Sequence, residues 1–364
     1  MKKINFFSSW EAFNKNTWSG TPFGIYQALC SKTDVELFDV SVKQKKGFFQ
    51  NIKNNFRNLN ANIASLKYGV KKINQLDWNS EKEPGLVFSE YNSKNAKDLY
   101  CYQDLSIDFL LRSGRISSKG FWSFYLNKSY KRKNRIALEF YKNCAGIFTM
   151  SEWMREDLIQ NTKIPADKIH AVGGGSNIDI SKVDCSKKTG NKFIFVGIDW
   201  KRKNGDLVVR AFEILQKIHP TVELYIVGPS TCPTSIKMNS NIHFLGRLTF
   251  DELHKYYNMC DYFVMPSEFE AYGLVFAEAL CFGLPCIGKN CYAMPEFIRE
   301  GENGYLIDNS DEVELYEKMK LLLENGKSIA SNVQSQRDYY FEKYSWNAVA
   351  DRIIDIMRKD GYQV

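Results

Sequence analysis

Long apolar runs are missing from this 364-residue chain. No stretch of 18 consecutive apolar residues occurs, which excludes a membrane-spanning helix. A mean hydropathy of −0.37, with 44% apolar and 14% aromatic residues, excludes disorder on the scale of the chain. The opening MKKINFFSSWEAFNKN carries two lysines but no apolar core with a small-residue cleavage site, so it reads as a first strand rather than a signal peptide. The nine cysteines include no Cys-x-x-Cys pair, and Cys281, Cys286 and Cys291, spaced five apart, have no histidine near them. They read as buried thiols rather than a metal site, in a reducing, cytoplasmic compartment. No repeat of roughly 20–50 residues and no low-complexity tract is visible.

Negative charge is scarce in one half only. The net charge is +7, but residues 1–180 carry 27 Lys+Arg against 17 Asp+Glu, whereas residues 181–364 carry 22 against 25. The basic half suits phosphate, anionic lipid or nucleic acid, and composition does not choose among them.

What the sequence does contain is an alternation of short apolar runs with helical patterns. FIFVG (193–197), ELYIV (223–227), IHFLG (242–246), YFVMP (262–266), PCIG (285–288) and GYLI (304–307) read as strands. Helices fall near 205–218, 251–259, 274–283, 294–300 and 311–324, the rhythm of βαβ units on a parallel sheet. Leu207, Ala211, Ile214, Leu215 and Ile218 share one helix face. The first half repeats the rhythm, with strands at 3–7, 35–40, 86–89, 99–102, 146–150 and 169–172. A helix around 48–75 lies in a basic, Asn-rich stretch, and 121–145 forms one crowded with aromatics and cations. The last helix, 345–359, places Val349, Ile353, Ile356 and Met357 on one face. The glycine cluster VGGGSNID (172–179) marks a boundary. The expected architecture is α/β, two Rossmann-like domains (1–178 and 179–344) facing each other across a cleft. In such sheets ligands bind beyond the carboxyl ends of the strands.

The stretch MPSEFEAYGLVFAEALCFGLPCIG (265–288) is the most informative. A strand ends near Pro266, a polar loop carries Glu268 and Glu270, and Gly273 opens a helix at Leu274. The first-turn N–H groups lack intrahelical partners and the helix dipole is positive there, which makes a site for a phosphate or an oxygen-rich sugar. The plain alternative is that Glu270 and Glu278 are surface carboxylates. Against it, Glu278 is embedded in LVFAEALCF, where a charge on a nearly all-apolar helix needs a partner.

This motif resembles the retaining glycosyltransferases of family 4 (group 1 glycosyltransferases), whose signature is strand, Pro-Ser, Glu, a small-aromatic-Gly turn, and a second Glu eight residues after the first. Glu270 and Glu278 hold those positions, with Ala271-Tyr272-Gly273-Leu274 in the turn. FVGIDWKRKNGDLVVRAF (195–212) resembles the family's Gly…Lys-Gly phosphate loop; ELYIVG (223–228), IHFLGRLTFDEL (242–253), PEFIREGENGYLI (295–307), SEWMREDLIQ…KIHAVGGGSNID (151–179) and WSGTPFGIYQAL (18–29) extend the likeness. The resemblance implies a GT-B fold, with residues 345–364 crossing back to the first domain, and a nucleotide-sugar donor, a UDP-sugar ahead of a GDP-sugar. By it, Glu278 binds the ribose hydroxyls and Glu270 a hydroxyl of the donor sugar beside the Tyr272–Leu274 backbone. Lys203, helped by Arg202, neutralises the departing diphosphate. Gly20 lets backbone approach the same phosphates, and the loop at Arg247 and Leu248 meets the base.

Two departures from the family stand out. Ile198 occupies the place of an arginine after the loop glycine, so Arg202 is expected to compensate. The family also places a histidine in the N-terminal domain, yet none of the four histidines here precedes His170. His219 and His254 are expected on surfaces, His243 on a strand and His170 in a structural role; Asp104, in Tyr102-Gln103-Asp104, is the substitute for the missing group. No Asp-x-Asp clamps a divalent ion, so no metal is expected and the leaving charge falls to Lys203, Arg202 and helix N-termini. The expected enzyme is a metal-independent retaining glycosyltransferase making cell-surface polysaccharide, lipopolysaccharide or glycolipid from a saccharide or lipid-linked acceptor. A sugar-nucleotide 2-epimerase of the same fold is the enzymatic alternative, and histidine scarcity weighs against it. A non-catalytic nucleotide-sugar or nucleic-acid binding module is the other, and it would not need the Glu270/Glu278 loop-helix. Lys43, Lys45 and Lys46 beside Phe48 and Phe49, and Lys128, Lys131, Arg132, Lys133 and Arg135 after Phe121, Trp122, Phe124 and Tyr125, suit an anionic membrane at its cytoplasmic face; the plain alternative is that these aromatics are core, with the lysines as their solvated edge.

Overall fold

A computed structural model describes residues 3–8, 17–40, 54–76, 78, 82–116, 123–184, 186, 188–233, 236 and 239–364. The chain divides into two compact units, Met1–Gly175 with Trp346–Val364, and Ser176–Ser345.

The first unit contains β1 (Lys3–Ser8), α1 (Thr21–Cys30), β2 (Asp34–Asp39), α2 (Asn54–Gln75), β3 (Gly85–Val87), β4 (Leu99–Gln103), α3 (Ile107–Arg112), α4 (Ser123–Asn143), β5 (Gly146–Thr149), α5 (Glu152–Gln160) and β6 (Ile169–Ala171). Its strands form one parallel sheet in the order β2-β1-β3-β4-β5-β6. The interior strands β3, β4 and β5 are buried throughout, as parallel strands covered on both faces must be; that is why they read as continuous apolar runs. The winding reverses between β1 and β3, because β2 lies on one side of β1 and β3 on the other.

The second unit contains β7 (Lys192–Val196), α6 (Gly205–Ile218), β8 (Glu223–Val227), β9 (Ile242–Gly246), α7 (Phe250–Met259), β10 (Tyr262–Val264), α8 (Leu274–Cys281), β11 (Cys286–Lys289), β12 (Gly304–Ile307), α9 (Glu312–Ser335) and α10 (Arg337–Lys343). Its parallel order is β12-β11-β10-β7-β8-β9, and the winding reverses between β7 and β10. The chain then returns to the first unit as α11 (Trp346–Lys359), which packs on α1. The Trp346 ring occupies the space over Gly24 and Gly175; a Cβ on either would stand 2.3 and 2.4 Å from its atoms.

Several expectations are corrected. The helix expected over 294–300 is only a short 3-10 turn, Met294–Glu296, opened by Pro295. Beyond it, Asn303 Oδ1 accepts from the Arg299 N–H and folds the chain back toward β12. His254 is buried, not on a surface: its ring packs 5.1 Å from that of Phe282, and burial lowers its pKa. On α11 it is Ile354, not Ile356, that is fully buried, beside Val349, Ile353 and Met357. Lys43, Lys45, Lys46, Phe48, Phe49, Phe121 and Trp122 lie outside the described residues, as do the side chains of Phe124 and Tyr125. No helix among the described residues is long and apolar enough to cross a membrane, and no described cysteine is in a disulfide.

Candidate active site

The loops after β7 and β10 leave the second sheet where its winding reverses, the place where open α/β sheets bind ligands. β7 is buried from Phe193 to Val196 and is followed by Gly197. A Cβ there would lie 2.2 Å from Lys203 Cδ, so glycine is required for the Lys203 stem to pass over the strand end. Asn204, at φ 57° and ψ 38°, opens α6 without capping it; its amide instead donates to Pro266 O (2.9 Å) and Glu268 Oε1 (2.7 Å). From the other loop, the Glu268 N–H and the Ser267 hydroxyl both donate to Arg202 O, at 2.8 and 3.1 Å. The two loops are thus bolted together through backbone.

Arg202, Lys203 and Glu270 converge at this junction. Arg202 Nη1 donates to Glu270 Oε1 at 2.8 Å and to Phe269 O, and Lys203 Nζ lies 3.3 Å from the same Oε1 and 3.0 Å from Met265 Sδ. Burial lowers the Lys203 pKa; the Glu270 carboxylate pulls it back up and Arg202 pushes it down. Ile198 is 65% exposed, and no arginine stands in its place. The guanidinium of Arg202 lies beside Lys203 on the same Glu270 oxygen.

Tyr272 and Gly273 complete the loop, with Gly273 at φ 103° opening α8 at Leu274 without a side-chain cap. Tyr272 packs on Phe297, ring centroids 4.9 Å apart. Glu278 lies one turn into α8, buried, with Tyr257 Oη 3.4 Å from its Oε2. Burial pushes its carboxyl up to about 7, against the opposing pull of Tyr257 and Lys203.

Other expected residues lie on other elements. Arg247 (exposed) and Leu248 follow β9, two strands along from β7 and so about 10 Å away across the sheet. Gly20 and Asp104 belong to the first unit: Gly20 opens α1 at φ 79°, and Asp104 Oδ2 accepts from Trp18 Nε1 at 3.3 Å. On α4, Lys128, Lys131, Arg132 and Arg135 are exposed and Lys133 half-buried.

Sequence reasoning did not assign the brace behind the cluster. Glu268 accepts from Asn204, from Lys289 Nζ at 3.0 Å and from the Ser310 hydroxyl, tying together the loops after β7, β10 and β12 and the end of β11. Burial would raise its carboxyl, but these hydrogen bonds hold it down to about 2. The signal available in the sequence was position alone, since each of these residues ends or follows a strand.

Residues 177–339 match the family described as glycosyl transferases group 1. The serotype-specific mannosyltransferase WbdA of Escherichia coli is 27% identical over 214 residues, 53% of this chain and 25% of that protein. The chain therefore spans well under two thirds of that relative's length. Among solved structures, WaaG, a glycosyltransferase involved in lipopolysaccharide biosynthesis, has a TM-score of 0.68 at 15% identity, over 97% of this chain and 99% of that one. Anabaena HepE, solved in complex with UDP and glucose, has a TM-score of 0.63 at 14% identity, over 98% and 100%. The two parallel six-stranded sheets have the GT-B architecture, and the match to the group 1 glycosyltransferases lies in residues 177–339.

Proposed function

We propose that this chain is a retaining glycosyltransferase. It moves a sugar from a nucleoside-diphosphate sugar, a UDP-sugar ahead of a GDP-sugar, to a saccharide or lipid-linked acceptor of cell-surface polysaccharide or lipopolysaccharide. The observation that carries this reading is the meeting of Arg202, Lys203 and Glu270 at the β7/β10 reversal, beside the uncapped start of α8.

A diphosphate at that helix start meets N–H groups without intrahelical partners and two cations held in place before it arrives. As the glycosidic bond breaks, negative charge grows on the leaving diphosphate, and Lys203 and Arg202 stabilise it without a resident metal ion. Glu270 is tied to both cations through one oxygen, Oε1. Its other oxygen accepts a donor-sugar hydroxyl, so the same carboxylate orients the cations and the sugar. Glu278 accepts the ribose hydroxyls, and Arg247 and Leu248 meet the base. On the first unit, Gly20 opens α1 without a side-chain cap, and the Trp18 indole orients Asp104. The relatives named for mannosyl transfer and lipopolysaccharide biosynthesis support the setting, and the UDP of the HepE complex supports the donor class. The exposed cations of α4 suit peripheral contact with an anionic membrane at its cytoplasmic face.

The test is hydrolysis of a panel of nucleotide sugars by the purified chain, with and without excess chelator, followed by NMR of the anomer formed on transfer. Release of nucleoside diphosphate from one donor, surviving chelator and with retained configuration, is the expected result. No hydrolysis of any donor overturns the transferase reading. A strict Mg²⁺ or Mn²⁺ requirement overturns metal independence, and inversion overturns retention.

A further inference from the structure

The loop after β7 keeps its internal shape by contacts of its own. The Lys203, Asn204 and Gly205 N–H groups donate to the carbonyls of Asp199, Lys201 and Trp200 at 3.0–3.2 Å. The Trp200 ring lies over Gly205, where a Cβ would stand 2.2 Å from it, and its indole donates to Asp206 Oδ1 at 2.8 Å. These contacts fold the loop, but they do not set where it stands against the β10 loop that carries Glu270. Glu268 does so at two points. Its N–H donates to Arg202 O and its carboxylate accepts from the Asn204 amide, so it holds the residues on either side of Lys203.

Asn204 has a left-handed backbone and stands at the N-cap position of α6, where asparagine is favoured, yet its side chain caps nothing. The amide instead reaches Pro266 O, Glu268 Oε1 and, at 3.2 Å, Ser310 Oγ. Glu268 is held from its far side as well. Lys289 Nζ, on a side chain 16% exposed, lies 3.0 Å from Oε2, and the Ser310 hydroxyl donates to Oε1 while accepting from Lys289 at 2.7 Å. Turning the carboxylate out to solvent would strip the half-buried Lys289 of its counter-charge. The two cations in front need such support. Arg202 and Lys203 share one Glu270 oxygen, and their like charges repel each other.

We propose that Glu268 is a positioning residue of the diphosphate site: by pinning the residues on both sides of Lys203, it aims Lys203 and Arg202 at the leaving diphosphate. This role rests on the transferase reading for its ligand. Glu268 acts through Asn204 and the loop, not through contact with the sugar. Well-aimed cations matter most where the negative charge is greatest. A free nucleoside diphosphate carries more charge on its terminal phosphate than a nucleotide sugar, in which that phosphate is esterified. Misplaced cations therefore weaken the diphosphate more than the intact donor, and slow its departure from the sugar.

The experiment is calorimetry of the full chain with UDP, GDP, UDP-glucose and GDP-mannose, with thermal melts in parallel. Glu268→Ala removes the tie, Glu268→Gln keeps an oxygen to accept from Asn204, and Asn204→Gly keeps the left-handed backbone without the amide. Glu268→Ala and Asn204→Gly should each weaken the bound nucleoside diphosphate about tenfold, and its sugar ester clearly less, at melting temperatures close to wild type. Glu268→Gln should recover most of the loss. The double variant Asn204→Gly/Glu268→Ala should lose no more than either single one, because both act on one contact. Additive losses, equal losses for diphosphate and sugar ester, losses that follow the melting temperature, or single variants that bind as wild type does would each overturn the positioning role. So would a Glu268→Gln no better than Glu268→Ala, which would reduce Glu268 to a counter-charge for Lys289. If the wild type binds neither UDP nor GDP, the nucleotide-sugar reading itself fails and this role with it; a wild type that binds one of them keeps the two failures apart.

Discussion

The ammonium of Lys203 and the carboxylate of Glu270 lie 3.3 Å apart, with side chains only 11% and 10% exposed. Breaking such a pair costs more than its formation contributes, because the remaining charge is left buried. Glu270→Ala should lower stability by about 2–4 kcal/mol, short of the full penalty because Arg202 is more exposed, and cut transfer by about 10²-fold or more. The double variant Lys203→Met/Glu270→Gln removes both charges and should recover most of the melting temperature but none of the activity. Thermal melts and kcat on the three proteins decide this. Recovery of both properties in the double variant would show that the pair is only structural.

Glu278 gives the second prediction through its pH dependence. Its carboxyl is raised by burial to about 7. A raised folded-state value means that the native protein holds a proton which the unfolded chain has released. Stability is therefore fully present below the ordinary glutamate range and declines as pH rises toward about 7, by about 3 kcal/mol in all. Glu278→Gln should abolish that decline, melting like wild type near pH 5 and several degrees higher near pH 8. Donor affinity should run the other way in the wild type, strengthening as the carboxylate forms, and should fall with the substitution. Melts from pH 5 to 8 with and without nucleoside diphosphate separate the two effects; parallel pH curves for wild type and variant would rule out a buried, titrating Glu278.

How much of this was legible in the sequence follows from where each signal resides. ELYIV (223–227), IHFLG (242–246) and GYLI (304–307) are strands at the bounds read from their composition, since short β-branched and aromatic runs bounded by turn residues are a local signal. The Glu270–Glu278 motif is one loop and one helix turn, and a local pattern shows in a local string. The Glu268 brace draws on Asn204, Lys289 and Ser310, which are 64, 21 and 42 residues away, and no periodicity links them. His254 was misjudged because a polar residue on an amphipathic helix reads as exposed, whereas α7 buries Leu253, His254 and Tyr257 together.

Trp346 supplies a prediction about the crossover helix. Its ring sits where a Cβ on Gly24 would stand 2.3 Å away, so Gly24→Ala must displace either the ring or α1. Overpacking of this kind costs roughly 1–3 kcal/mol, and Trp346→Ala, which opens a cavity instead, roughly 3–5 kcal/mol. Both should loosen the first unit more than the second. Hydrogen exchange by mass spectrometry should show faster exchange in α1 and β1, with β7 and β10 protected as in wild type. Equal loosening of both units would argue against α11 as a clasp of the first.

The last prediction concerns the basic half. On α4, Lys128, Lys131, Arg132 and Arg135 are all exposed and follow the i, i+3, i+4, i+7 spacing, so they form one cationic stripe. Phe140 and Tyr141, farther along that helix, are core, so they offer nothing to a surface and the stripe attracts through charge. Each cation near an anionic bilayer adds about 1 kcal/mol, enough for weak and reversible binding but not for anchoring. Purified protein should therefore sediment with vesicles containing anionic lipid at low salt, much less with neutral vesicles, and should come off as the Debye length shortens toward about 8 Å at physiological ionic strength. Lys128→Glu/Lys131→Glu/Arg132→Glu reverses most of the stripe without touching a buried side chain, and should abolish vesicle binding without lowering the melting temperature. A wild type that ignores anionic vesicles at low salt would mean that the stripe does not meet a membrane, and that the acceptor reaches this protein as a soluble or protein-borne saccharide.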